Sequence, residues 1–293
     1  MVKIGEKIVG DSYPVFVTAE IGINHNGDMK VAKKLIDLAV LAGCDAVKFQ
    51  KRTVEVVYTP EELAKPRENP FGPTNGDLKR GLEFGYAQYR EIDKYCREKG
   101  ILWFASPWDE ESVDFLERFD PPCYKVASAS LTDDDLLKHI RRKGRPIILS
   151  TGMSDLEMIR QAVKILGRDD LVLLHCTSVY PKNGLEAVNP LSYLNLNVLD
   201  EFVLMFPDLP IGFSSHFSGI MPVYAAVAKG ACMVEFHITL ERSMWGSDQA
   251  SSLEFHEFNN LCHLIREFEI ARGDGFKRIY PEEEVVMKKL RRK

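Results

Sequence analysis

Short apolar, often β-branched runs alternate along the chain with longer stretches of helical spacing. The runs "VFVTAEIG", "AVKFQ", "LWFASP", "CYKVAS", "PIILST", "LVLLHCTS", "IGFSSH" and "MVEFHI" read as strands, and each ends in polar residues. Between them, pieces such as "VAKKLIDLAVLAG" and "YREIDKYCREKG" place apolar residues three and four apart and stop at glycine, which predicts amphipathic helices. Eight strands alternating with helices predict a parallel (β/α)8 TIM barrel, a single domain over residues 1–293. A doubly wound open sheet is the alternative. The barrel is favoured because every strand ends in ionisable, hydroxyl or amide groups, and a barrel brings all such ends to one face, whereas an open sheet gathers them near its switch point.

Three segments fall outside that period. Residues 1–14 read as a short β-hairpin, two polar strands around a turn that contains glycine. The βα connection 51–86 is too long and too rich in proline and glycine for a simple connector, which makes it a candidate active-site lid. Residues 281–293 end in "MKKLRRK", a basic C-terminal tail read as a solvated helix end.

Composition narrows the class. The chain is 45% hydrophobic and 28% charged, an ordinary globular balance with length for a large core. A net charge of -5 provides no general attraction to nucleic acid. The most apolar region, "GIMPVYAAVAKGACMVEF", is interrupted by Pro222 and Lys229, so no membrane span is expected. The first residues hold no apolar core of signal-peptide length, and the six cysteines are scattered without a C-x-x-C pair. The expectation is a cytoplasmic protein with reduced, mostly buried thiols.

The strand ends carry the candidate chemistry: Glu20 and Asn24, Lys48 and Gln50, Ser106, Lys125 and Ser128, Ser150, Thr177, Ser178 and Tyr180, Ser214 and His216, Glu235 and His237. Any single serine among them reads as a strand-capping group. Two lysines with several hydroxyls facing one cavity, by contrast, suit a small, multiply charged anion that carries phosphate. His216 and His237 end adjacent strands, and two imidazoles so placed can share a divalent ion while leaving positions open for water and substrate. Each could instead hydrogen-bond within the barrel; as a pair beside Glu235 and Asp248 they read as metal ligands. His175 ends the sixth strand and is a candidate for the pocket wall. His25 lies in the first βα loop, and His139, His256 and His263 lie in helical stretches.

The stretches "EIGINHNG", "AVKFQ", "YKVAS", "ILSTGMS", "HCTSVYP", "GFSSH" and "EFHITLERSMWGSDQASSLE" occur in this order. Together they resemble the catalytic barrel of the sialic acid synthase family, the N-acetylneuraminate, legionaminate and pseudaminate synthases, from about residue 3 to residue 284. The resemblance implies condensation of phosphoenolpyruvate with an open-chain 2-acetamido sugar, with Mn2+ or another divalent ion such as Mg2+ or Co2+. By motif position it implies that Lys48, Ser106, Lys125, Ser128, Ser150, Ser178, Tyr180 and Ser214 surround phosphoenolpyruvate. His216 and His237 would hold the metal, and Glu20, Gln50 and Asp248 would serve the sugar end and the attacking water, with Asn24 and Glu235 also at the substrate.

Three features depart from the family pattern. Phe236 stands where the family usually has Lys or Arg, and by strand alternation it should point to the helical shell. The common Asp-His pair reads Asp248-Gln249. The chain as given stops at Lys293, whereas full-length members continue into a small antifreeze-like domain that lends an arginine to the partner's sugar site. The resemblance therefore implies the barrel alone, with a homodimer through barrel faces as the expected assembly. Two other readings keep some of these residues: a metal-dependent aldolase or sugar-phosphate synthase on the same barrel, and a non-catalytic sugar-binding relative. The first would not need the lysine and serine set, or would need a second basic cluster. The second would be expected to lose the acidic and metal positions.

Overall fold

A computed structural model describes residues 1–178 and 190–292. The eight expected strands are present as β1 (Phe16–Gly22), β2 (Ala46–Lys51), β3 (Leu102–Pro107), β4 (Tyr124–Val126), β5 (Ile147–Ser150), β6 (Leu171–Cys176), β7 (Ile211–Ser215) and β8 (Met233–His237). They form one parallel sheet in the order β3-β2-β1-β8-β7-β6-β5-β4. β3 and β4, the two ends of that order, lie against each other, which curls the sheet into a barrel.

Helices α1 (Met29–Ala42), α2 (Tyr86–Lys99), α3 (Glu110–Glu117), α4 (Asp134–Arg142), α5 (Leu156–Leu166), α6 (Val198–Met205), α7 (Ile220–Ala228) and α8 (Phe255–Ala271) surround it. Each of α1, α3, α4 and α5 starts at an aspartate, Asp28, Asp109, Asp133 and Asp155, whose side chain accepts a backbone N–H of the first turn. A carboxylate there also meets the positive end of the helix dipole.

Strand alternation sorts the side chains into two cores. One set, with Val17, Val47, Trp103, Tyr124, Leu149, Leu173, Phe213 and Val234, faces outward against the helices. The other set, with Phe16, Ala46, Phe104, Cys123, Ile148, Val172, Leu174 and Met233, fills the lower barrel interior. The hairpin of Val2–Ile4 and Lys7–Val9 closes the bottom of that interior. Val2, Ile4 and Val9 are all buried, so the expectation of two polar strands is corrected: one face of the hairpin is an apolar plug.

The 51–86 connection is more ordered than a loop. It holds short helices at Val54–Val57 and Pro60–Ala64, a hairpin of Pro66–Asn69 and Gly72–Thr74, and a helix at Asn75–Leu82. Thr74 and Asp77 cap that last helix reciprocally, each side chain accepting the other's backbone N–H. The basic tail forms a helix at Pro281–Leu290 with no buried residue. Among the described residues no helix is long and apolar enough to cross a membrane. All six cysteines are buried and unpaired.

Candidate active site

The inward residues change character along the barrel axis. On β1 the order is Phe16, Thr18, Glu20; on β2 it is Ala46, Lys48, Gln50; on β8 it is Met233, Glu235, His237. Apolar side chains therefore floor the barrel, and ionisable ones crown its C-terminal mouth, the end where this fold gathers its chemistry. The pocket there contains roughly 660 Å³ of atom-free space, part of it open to solvent.

Its walls bring together Glu20, Lys48, Gln50, Ser106, Lys125, Ser128, Ser150, Ser178, Ser214, His216, Glu235 and His237. All were expected from the strand ends. Tyr180 lies outside the described residues.

Two cations and two carboxylates alternate at the base of this pocket, in the barrel mouth. Lys48 Nζ lies 3.0 Å from Glu20 and 3.5 Å from Glu235, and Lys125 Nζ lies 3.9 Å from Glu235. Lys48 donates to Ser106 Oγ at 3.1 Å, and Lys125 donates to Ser150 Oγ at 2.6 Å. Ser214 Oγ donates to Glu235 at 3.3 Å. Each charge is taken out of water, which is costly unless paired, so the alternation of sign is what allows four of them here.

The two carboxylates respond differently to burial. Desolvation raises Glu20 to about 7, against the opposing pull of Lys48. Burial acts the same way on Glu235, but Lys125, Lys48 and the two histidines outweigh it and hold that carboxyl below its ordinary value. Burial pulls Lys48 down, yet Glu20 and Glu235 leave it raised; Lys125, with fewer carboxylates near it, is lowered by burial. The result is one carboxyl poised near neutrality and one firmly ionised, a division suited to acid–base work.

His216 and His237 meet with ring centroids 5.3 Å apart and planes tilted by 41°. Burial lowers His237 to about 4, so it is a neutral imidazole, and among the described residues its buried Nδ1 has no hydrogen-bond partner. His216 keeps a raised proton affinity in spite of burial, because Cys176 Sγ lies 3.6 Å from its Nδ1. A neutral imidazole with an orphaned nitrogen beside a second imidazole fits a divalent ion. Among the described residues no third His, Cys, Asp or Glu closes the ligand set.

Three expected residues lie away from the pocket wall. Asn24 does not line the pocket: its Nδ2 donates to Ile238 O at 2.9 Å and to Ser252 Oγ at 2.8 Å, tying the first βα loop to the segment after β8. Asp248 also stands off the pocket wall. Its carboxylate accepts from Ser247 Oγ at 2.7 Å, and it still acts through space to favour the protonated form of His237. His175 faces outward, with Nε2 2.8 Å from Leu194 O and its ring against Phe202 and Phe213. Strand parity explains this: His175 lies between Leu174 and Cys176, which both point inward.

Two of the departures from the family pattern are matters of packing. Phe236 points to the shell, 1% exposed, with its ring 6.4 Å from that of Phe258 on α8. Gln249 bonds Thr239 and, through Nε2, Asn24 O at 3.2 Å, so it braces the same two loops that Asn24 joins.

Uncharged contributors escaped the strand-end reading, Trp108 and Gly152 among them. Trp108, just beyond β3, forms part of the pocket wall. Gly152 donates its N–H to Ser128 Oγ at 3.0 Å, and a Cβ there would stand 2.8 Å from Ser128 Oγ and closer still to Ser178 Oγ. The available signal was the glycine directly after a strand end, a place where backbone must approach a ligand or a neighbour closely.

A family model described as "NeuB family" matches residues 35–277. The chain is 39% identical over 286 residues to the N-acetylneuraminate-9-phosphate synthase of Homo sapiens, an alignment covering 96% of this chain and 78% of that protein. It is 35% identical to the N,N'-diacetyllegionaminic acid synthase of Campylobacter jejuni, over 92% of this chain and 80% of that one. The crystal structure of N-acetylneuraminic acid (sialic acid) synthetase from Leptospira borgpetersenii in complex with citrate superposes with a TM-score of 0.84 at 29% identity, covering 100% of this chain and 98% of that one.

Proposed function

The chain belongs to the NeuB family, an enzyme family of sugar-acid synthases, and from that premise we propose that it condenses phosphoenolpyruvate with an open-chain N-acetylated aldose. The acceptor is an aldose of the N-acetylmannosamine type, and the products are a nine-carbon 2-keto sugar acid and inorganic phosphate. The observation that carries this reading is the convergence of Lys48, Lys125 and five serine hydroxyls around two buried carboxylates at the barrel mouth.

Phosphoenolpyruvate carries a phosphate and a carboxylate. Lys48 and Lys125 act on it as point charges, while Ser106, Ser128, Ser150, Ser178 and Ser214 direct hydrogen bonds to its oxygens. Held there, its C3 attacks the aldehyde carbon, the enol π pair forms the new C–C bond, and the carbonyl oxygen takes up a proton. Water adds at C2 and passes a proton to Glu20, whose raised proton affinity suits it to hold one near neutral pH. The bond from C2 to the phosphate oxygen then breaks and its electron pair leaves on phosphate, while the C2 hydroxyl gives its proton to that phosphate and its O–H pair closes the C2 carbonyl; the two lysines stabilise the departing charge. Gln50 and Asp248 serve the sugar side. His216 and His237 would hold a divalent ion, Mn2+ before Mg2+ or Co2+, which when bound supplies Lewis-acid polarisation of the aldehyde.

The test is phosphate release from phosphoenolpyruvate across acetamido and diacetamido hexoses with Mn2+ present. Release that depends on both aldose and metal is expected, and its absence with every sugar would overturn the reading. For the metal, calorimetric titration of Mn2+ should show binding that His237→Ala weakens by about a hundredfold or more, the scale of removing one ligand or its support. Equal affinity in that variant would remove His237 from the metal site.

A further inference from the structure

We infer that Arg52 is a positioning residue for this reaction: it locks the Gln50 amide so that its NH2 end, and not its carbonyl, faces Glu20. The geometry is a short chain of contacts across three elements. Gln50 Nε2 donates to Glu20 Oε1 at 2.8 Å, and Gln50 Oε1 accepts from an Arg52 Nη2 hydrogen. Arg52 is itself held twice. Its Nη1 and backbone N reach Glu83 at 3.5 and 3.2 Å, and its guanidinium lies over the Trp108 ring with 4.1 Å to the centroid.

A glutamine amide has an acceptor end and a donor end of nearly the same size, so a half-turn exchanges them at no steric cost. Arginine offers only donors, so the end that faces Arg52 must be the carbonyl. The NH2 is then left for Glu20, and a donor there favours the ionised carboxylate. Turned the other way, Gln50 would set its carbonyl against that carboxylate, two acceptors face to face, unless Glu20 were protonated. Rigid placement of the arginine matters for the same reason. The Trp108 face and Glu83 fix the guanidinium fork, whereas a lysine ammonium is a mobile point charge. Glu83 closes the far end of the 51–86 connection and also pairs with Lys51 at 3.2 Å, so that connection is tied to the catalytic carboxylate through this arginine.

This inference builds on the proposed function, and its test separates the two. The Gln50 side-chain NH2 resonances can be identified by their loss in Gln50→Met and followed by their exchange with water. In Arg52→Met, which keeps the apolar stem over Trp108, exchange of those protons should rise by about tenfold, as expected when a bonded amide is released. Unchanged exchange overturns the inference whether or not the enzyme turns over phosphoenolpyruvate. Should Arg52→Met not fold, Arg52→Lys serves, because one ammonium cannot reproduce the fork to Glu83 and Gln50 together, and the same rise is expected. In turnover, Arg52→Met should lower kcat and leave KM for phosphoenolpyruvate unchanged. The double variant with Gln50→Met should be no slower than Gln50→Met alone. Losses that multiply would mean that Arg52 acts independently of Gln50, and the inference fails; a wild type that releases no phosphate overturns the functional reading alone.

Discussion

At the scale of single residues, parity and pairing decide what each group does. Glu20 and Glu235 are both buried at the barrel mouth, yet one is pushed up to about 7 and the other is held low. The difference is the number of cations facing each: Glu235 has both lysines and His216, Glu20 chiefly Lys48. Gly152 shows how little space the pocket allows. Gly152→Ala would push Ser128 and Ser178 away from the substrate oxygens, and a displacement near 1 Å in such a site costs about a hundredfold in kcat/KM. Steady-state kinetics against phosphoenolpyruvate would check it, with an unchanged melting temperature showing that the fold survives; wild-type kcat/KM would contradict the tight cradle. The strand ends announced most of these residues, because a polar residue closing an apolar run is visible in one dimension. Trp108 carries no charge and lies beyond its strand, so nothing in its type marked it, and Gly152 offered only its place after a strand end.

At the scale of elements, the N-terminal hairpin is the instructive case. Its charged residues suggested two polar strands, but Val2, Ile4 and Val9 share one face and seal the lower barrel. Ile4 is 0% exposed, and Ile4→Ala should cost about 2–4 kcal/mol, the usual range for truncating a buried aliphatic side chain. Urea unfolding would measure this. Turnover at moderate temperature should stay near the wild-type value, since the plug sits at the end of the barrel opposite the site; a loss below about 1 kcal/mol would argue that the hairpin is dispensable to the core. The 51–86 connection was legible as unusual from its length and its prolines and glycines. Its internal helices and hairpin were not, because elements of three to eight residues are too short to show a period.

At the scale of the whole molecule, acid should loosen the protein through His25. This residue is 3% exposed, stacks on Phe84 with centroids 3.9 Å apart, and accepts the Gly27 N–H on Nδ1 at 3.0 Å. Burial lowers it from 6.5 to about 3, so the unfolded chain binds a proton that the folded one refuses. Its contribution is complete above pH 6.5 and is lost as the pH falls from there towards 3, by up to about 1.4 kcal/mol per pH unit. Glu20 works in the opposite sense near neutrality, since the fold favours its protonated form, so the comparison must be made between variants. His25→Asn, which keeps an acceptor for Gly27, should show a flatter loss of stability than wild type between pH 6.5 and 5 in urea titrations; parallel slopes would clear His25 of the effect. The strand–helix alternation, with polar groups at every strand end, favoured the barrel over an open sheet, because a period of two or of 3.6 is written locally and eight repeats admit few closures. It also determined which residues crown the strand ends. Only the tertiary structure decided which of them meet. Asn24 and His175 were equally polar candidates, and one was spent on a loop tie while the other turned outward by parity. Lys48, Lys125, Glu20 and Glu235 are scattered over 216 positions of the chain, from 20 to 235, and acquire their charge states only through the distances that closure of the barrel imposes.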